Sequence, residues 1–204
     1  MTGYSDRINH ALAFADKHHD REVRKGTSAP YFTAPSNAAL ILTRYGQDEQ
    51  TVVAAILRQA VEDYLRDGFS PEAVYERLAD KFGAGTVELL LAAVPRRLDD
   101  DGVELSHEEQ KSDLLARLAT ATDAARWVFA AHEVHEASAL LADLRRTSFP
   151  ESVWQRVSEG RDARLRWYAQ GAERLRAAGF AAPIVDELRA ASTALAEAAQ
   201  ESTR

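Results

Sequence analysis

The chain contains no cysteine among its 204 residues. That absence excludes disulfides, thiolate metal sites and cysteine nucleophiles, and it fits a cytoplasmic protein. Proline and glycine are scarce, at six and ten residues, so little punctuates the chain. No apolar run approaches the ~20 residues that span a bilayer, and residues 1–20 carry no signal-peptide core. Basic residues are outnumbered: 25 Lys and Arg stand against 32 Asp and Glu, a formal net charge of −7. An acidic balance is wrong for a general nucleic-acid binder, whose surface must attract phosphate. Two sequence elements of enzymes are also missing. There is no Gly-x-Ser-x-Gly elbow and no glycine-rich phosphate loop.

What is present is helical. Hydrophobic residues make up 46% and charged residues 28%, the mix of a globular protein. Alanine is abundant, which favours helix. Apolar residues recur at helical spacing. Ile8, Ala11, Leu12 and Ala15 make one stripe, and Val52, Val53, Ile56, Leu57, Ala60, Val61 and Leu65 make the clearest. Ser70-Pro71-Glu72 is an N-cap followed by proline at the first helical position. Ser106 with Glu109 is a capping box. Pro150 opens a further helix, and Gly46, Gly68, Gly83 and Gly179 mark helix ends. The pattern predicts helices at 5–20, 35–45, 49–67, 71–82, 84–94, 107–119, 122–146, 150–178 and 182–200. The segments 22–34 and 95–105 are loops, with Asp99 to Gly102 in solvent. The fold class is therefore all-α, a single bundle of eight or nine helices over residues 1–180. Residues 181–204 form a helical extension, rich in alanine and glutamate and marginal by itself. Trp127, Trp154, Trp167 and Tyr168 sit at helical spacing among apolar residues and read as packing residues. His10 and His107 read as surface residues.

Several segments together resemble a known family. Phe14-Ala15 through His19, Arg24-Lys25-Gly26 and Pro30-Tyr31-Phe32-Thr33-Ala34-Pro35 are similar to the start of a RelA/SpoT-type HD domain. Asp48-Glu49 through Ala54-Ala55-Ile56-Leu57-Arg58-Gln59-Ala60-Val61-Glu62-Asp63 resembles the family's next helix. Phe82-Gly83, the stretch from Ala130 to Glu136, Leu141 to Arg146 and Trp167-Tyr168 continue the match in order, over roughly residues 7–178. The resemblance implies an HD-type helical bundle, related to (p)ppGpp hydrolases and small alarmone hydrolases.

Members of that family hold a divalent metal, usually manganese, through two histidines and two aspartates. The matching positions here are Ala34, Arg58, Gln59 and His132. Alanine has no donor atom, arginine is a fixed cation and glutamine is a poor substitute for a carboxylate. The resemblance thus implies a metal centre whose ligands are lost, and no resident cofactor is expected. Glu62 and Asp63 match the family's acidic pair, which assists the attacking water, and are the candidate catalytic residues. Arg58 and Glu62 are four apart on one helix face, so an ion pair between them would fill the volume of the metal. Arg24 and Lys25 match residues that contact nucleotide. With Tyr31, Arg58, Gln59, His132 and Glu136 they are the candidate pocket residues. Glu136 stands where the family has an asparagine, and a carboxylate there repels phosphate. His132, His135 and Glu136 share helical spacing and, with Glu62 or Asp63, are the candidates for a non-standard metal site.

Three functions stay open on these residues. One is a degenerate HD protein that binds a small molecule, nucleotide-like among the choices, or acts as a regulator. The second is a metal-free enzyme using Glu62 and Asp63 as acid and base. The third is a phosphohydrolase with an altered metal site. The expected partner is a small molecule rather than nucleic acid or membrane. A homo-oligomer is compatible with the apolar face of the C-terminal helices.

Overall fold

The computed structural model describes residues 5–18 and 30–201. The described residues form ten helices. These are α1 (Asp6–His18), α2 (Thr33–Arg44), α3 (Glu49–Arg66), α4 (Pro71–Phe82), α5 (Ala84–Ala93), α6 (His107–Leu118), α7 (Asp123–Arg146), α8 (Pro150–Trp154), α9 (Arg161–Ala177) and α10 (Pro183–Glu201). Among the described residues no helix is long and apolar enough to cross a membrane.

Helix α3 is the axis of the bundle. Asp48 caps it by accepting from the Thr51 amide at 2.8 Å. Its apolar stripe is so wide that Val52 to Leu57 are all buried, against α1, α2, α5 and α7. Full burial of each large aliphatic side chain is worth about 1.5–3 kcal/mol, so packing more than intrinsic propensity holds this helix. Helix α7 is the second long axis. It starts at Thr122, whose hydroxyl accepts from the Ala125 amide, and it packs on α2, α3, α5, α9 and α10. The crossing of α3 with α7 places Arg58 of α3 and Glu133 of α7 together in the interior.

The local signals act as their chemistry requires. Ser106 and Glu109 exchange both bonds of the capping box. Ser70 caps α4 with Pro71 behind it. Gly83, at φ 87°, ends α4 and starts α5 in one residue, a backbone state that side chains with a Cβ rarely adopt.

Three expectations are corrected. Helix α2 begins at Thr33, inside the segment read as loop, because Thr33 and Ala34 already bond back to Pro30 and Tyr31. The 95–105 loop contains a small hairpin: Leu98 bridges Glu104, and the Asp99 carboxylate accepts from the Asp101 and Val103 amides. The helix expected at 150–178 is two helices, broken over 155–160. The break ends at Gly160, φ 83°. There Glu159 turns inward to meet Lys111 at 3.0 Å and Arg164 at 2.8 Å. Burial pushes the Glu159 carboxyl up, but Arg164 and Lys111 outweigh it and hold it at about 2. The last segment is a full helix with a built-in face. Ile184, Val185, Leu188 and Leu195 are buried where α10 packs on α7 and α9.

Candidate functional site

Arg58 lies at the centre of the α3–α7 crossing and is only 2% exposed. Its Nε donates to the Ala93 carbonyl at 3.2 Å. Its Nη2 lies 2.9 Å from Glu62 Oε1, one helical turn on, and 3.9 Å from Glu133 Oε1 of α7. Nη1 is buried with no hydrogen-bond partner among the described residues. The ion pair anticipated between Arg58 and Glu62 is therefore present, with a second carboxylate behind it. Glu133 in turn accepts from the Trp167 indole Nε1 at 2.8 Å through its other oxygen. Burial pushes the Glu133 carboxyl up to about 7, although Arg58, Arg164 and the Trp167 bond all pull it down. Burial also raises the Glu62 carboxyl, against the attraction of Arg58.

Beside this cluster opens a cavity of about 330 Å³, within the range of small-ligand pockets. Helix α7 lines it with one stripe, His132, Glu136, Leu140 and Asp143, spaced four, four and three apart as a single helix face requires. Gln59 and Glu62 come from α3, Ala34 from the first turn of α2 and Tyr31 from the turn just before it. The far wall is Val153, Arg156, Val157, Ser158, Arg164 and Tyr168.

The structure thus gathers Tyr31, Ala34, Gln59, Glu62, His132 and Glu136 around one space. It separates the acidic pair. Glu62 lines the cavity, whereas Asp63 is buried behind it, 2.7 Å from Arg66 Nη1 and 3.3 Å from Gln59 Nε2. Gln59 Nε2 also donates to the Tyr31 hydroxyl at 3.2 Å. That phenol is pushed up to about 12 by burial, with Asp63 and Glu136 adding to the effect. The three α7 candidates do not all open to the same space. His132 and Glu136 line the cavity, while His135 lines a shallower groove with Asn37 and Leu40. Its Nδ1 is 3.3 Å from Asn37 Nδ2, and its Nε2 is 3.5 Å from Glu136. Among the described residues no three His, Asp or Glu side chains gather as a metal-holding group. Arg24 and Lys25 lie outside the described residues.

Sequence reasoning missed Glu133, Asp143, Arg156, Ser158 and Arg164. Glu133 sits inside the His132–Glu136 run, but only the α3–α7 crossing shows that it faces Arg58. Arg156 and Ser158 were hidden by the helix expected across them. The packing reading of Trp167 and Tyr168 holds, since both are buried, yet Trp167 also holds Glu133 and Tyr168 also walls the cavity.

Comparison with known proteins agrees with the fold. The HD_4 family model, described as an HD domain, matches residues 11–147. A guanosine-3′,5′-bis(diphosphate) 3′-pyrophosphohydrolase of Aquifex aeolicus is 32% identical over 87 residues, 43% of this chain and 11% of that protein. A probable GTP pyrophosphokinase of Mycobacterium leprae is 37% identical over 76 residues, 37% of this chain and 9% of that protein. The chain thus matches only about a tenth of the length of these relatives. Among solved structures, a metazoan SpoT orthologue that hydrolyses ppGpp superposes with a TM-score of 0.68 at 22% identity, covering 94% of this chain and 96% of its own. A Listeria monocytogenes EGD-e protein superposes at 0.64 and 23% identity, covering 78% and 96%. The chain belongs to the HD-domain family, and its similarities within that family lie with the RelA/SpoT-type proteins.

Proposed function

We propose that this chain is an HD-fold protein whose metal-dependent phosphohydrolase centre is replaced by an internal ion-pair cluster, and that it keeps the adjoining cavity to bind a small molecule. The observation that carries this reading is Arg58, buried between Glu62 and Glu133. A divalent cation does not fit this donor set. The four positions that resemble the family's ligands supply a methyl group, a guanidinium, an amide and one imidazole, from Ala34, Arg58, Gln59 and His132. The guanidinium already pairs with the nearest carboxylate, and a second cation beside it would be repelled. Without a metal there is no activated water of the kind that such a centre supplies. The hydrolysis of guanosine bis(diphosphate) named for the Aquifex relative is therefore not carried over to this chain.

Elemental analysis of the purified protein tests the reading. No stoichiometric divalent metal is expected, Mn²⁺ should leave thermal unfolding unchanged, and ppGpp should release no pyrophosphate. Stoichiometric metal, or Mn²⁺-dependent release abolished by His132→Ala, overturns it.

A second reading draws on Glu62. Its carboxyl is raised by burial and opens to the cavity, as a general acid or base requires. Turnover that survives EDTA and disappears in Glu62→Gln would favour it. Asp63, held by Arg66 and Gln59, is then a positioning residue rather than a partner in proton transfer.

A further inference from the structure

The cavity's charges are of two kinds. Some are already matched to a close neighbour in the protein. Glu62 lies 2.9 Å from Arg58, Arg164 lies 2.8 Å from Glu159, and Glu136 lies 3.5 Å from the His135 ring. Two are not. Asp143 and Arg156 both line the cavity, yet neither side chain makes a hydrogen bond or ion pair with any described residue, nor with the other. They come from separate elements. Asp143 belongs to the α7 stripe, and Arg156 lies in the break between α8 and α9. Opposite charges that share a half-enclosed space without pairing are open to the opposite charges of a guest.

The rest of the lining fixes what joins those charges. Leu140 lies beside Asp143 on the α7 stripe, and Val153 and Val157 flank Arg156. These three supply the aliphatic part of the lining. Among the described residues, a polyphosphate would meet Glu62, Glu136 and Asp143, with Arg156 as the one uncommitted guanidinium to hold it. A simple amine would meet Arg156 unneutralised. A molecule with one charge of each sign meets neither penalty.

Resting on the reading of the cavity as a retained binding site, we propose that it selects a zwitterionic small molecule. An oxyanion, carboxylate or phosphate monoester, sits on the Arg156 guanidinium, a primary ammonium sits on Asp143, and an aliphatic spacer lies along Leu140, Val153 and Val157. This is a different ligand class from a guanosine polyphosphate. It makes Asp143 and Arg156 the specificity-determining residues.

The test is isothermal titration with ω-aminoalkyl phosphates and ω-amino carboxylates of graded length, against alkyl phosphates, alkyl carboxylates and alkylamines of matched length. The two zwitterion series distinguish phosphate from carboxylate as the oxyanion. A zwitterion of one preferred length is expected to bind roughly tenfold or more tighter than either singly charged analogue. Asp143→Asn should erase the advantage of the amine while keeping the alkyl phosphate or carboxylate affinity. Arg156→Gln should do the converse. Both side chains are partly exposed and unpaired, and unliganded thermal unfolding should match the parent in both variants. Equal binding of zwitterion and monoanion, no binding of any probe at millimolar concentration, or selectivity untouched in both variants overturns the proposal. Elemental analysis of the same samples separates the two levels. Bound metal sinks the metal-free cavity itself, whereas metal-free protein that treats all probes alike sinks only the zwitterion assignment.

Discussion

Replacing Glu133 with glutamine perturbs the most buried carboxylate beside Arg58. Glu133 is 3% exposed, and burial lifts its carboxyl from an ordinary 4.5 to about 7. At 1.36 kcal/mol per pH unit, that rise corresponds to about 3 kcal/mol of folding free energy lost on ionisation. The folded protein holds this proton between pH 4.5 and about 7, and the unfolded chain does not. Stability therefore falls as pH rises through that window and levels off above it. Glutamine cannot ionise, and its side-chain oxygen can still accept from Trp167 Nε1. Glu133→Gln should therefore flatten the slope. It should match the parent near pH 4 and exceed it at pH 8 by about 3 kcal/mol, the attraction of Arg58 being already contained in the net shift. Urea unfolding followed by circular dichroism at a series of pH values reads this directly. Trp167 fluorescence supplies a local signal that should titrate near pH 7 in the parent and not in the variant. Identical pH slopes in the two proteins would refute the reasoning.

Arg58→Met removes the guanidinium and leaves Glu62 and Glu133 uncompensated, so a loss of about 3–5 kcal/mol is expected at pH 8, smaller at pH 5, by urea unfolding. The fourfold variant Ala34→His, Arg58→His, Gln59→Asp, His132→Asp supplies the ligand types that the family resemblance implies, and it should take up stoichiometric manganese by elemental analysis where the parent does not. Thr51 is fully buried and its hydroxyl has no hydrogen-bond partner among the described residues, so Thr51→Val should raise stability by about 1 kcal/mol. Gly171 lies where an added Cβ would come within 3.2 Å of the buried Phe129 ring, so Gly171→Leu should cost about 1–3 kcal/mol or more by overpacking, seen as a lower Tm.

The helices with strong end signals are legible in the residues alone. Ser70-Pro71 and the Ser106–Glu109 box mark their helix starts because capping is a local exchange of bonds within four residues. The break at 155–160 is not legible in this way. A lone glycine inside a helical pattern is common enough, and the turn is fixed by Glu159 reaching Lys111 on α6, 48 residues earlier. The site divides in the same manner. The Arg58–Glu62 pair follows from i,i+4 spacing on one helix. The separation of Glu62 from Asp63, and of Glu136 from His135, depends on which side of each helix meets a neighbour. Glu133 escapes sequence reasoning because a glutamate between two histidines looks solvent-facing until α7 is laid across α3.

Arg58 also bears on how such a protein relates to its surroundings. A bound ion is borrowed from the medium, so its occupancy follows supply and competes with every chelator present. A guanidinium is made with the chain and keeps its charge at any physiological pH. The interior cation of this bundle is then written into its coding sequence. On the metal-free reading proposed above, its folding is exempt from metal starvation, and it gives up any capacity to report on metal abundance.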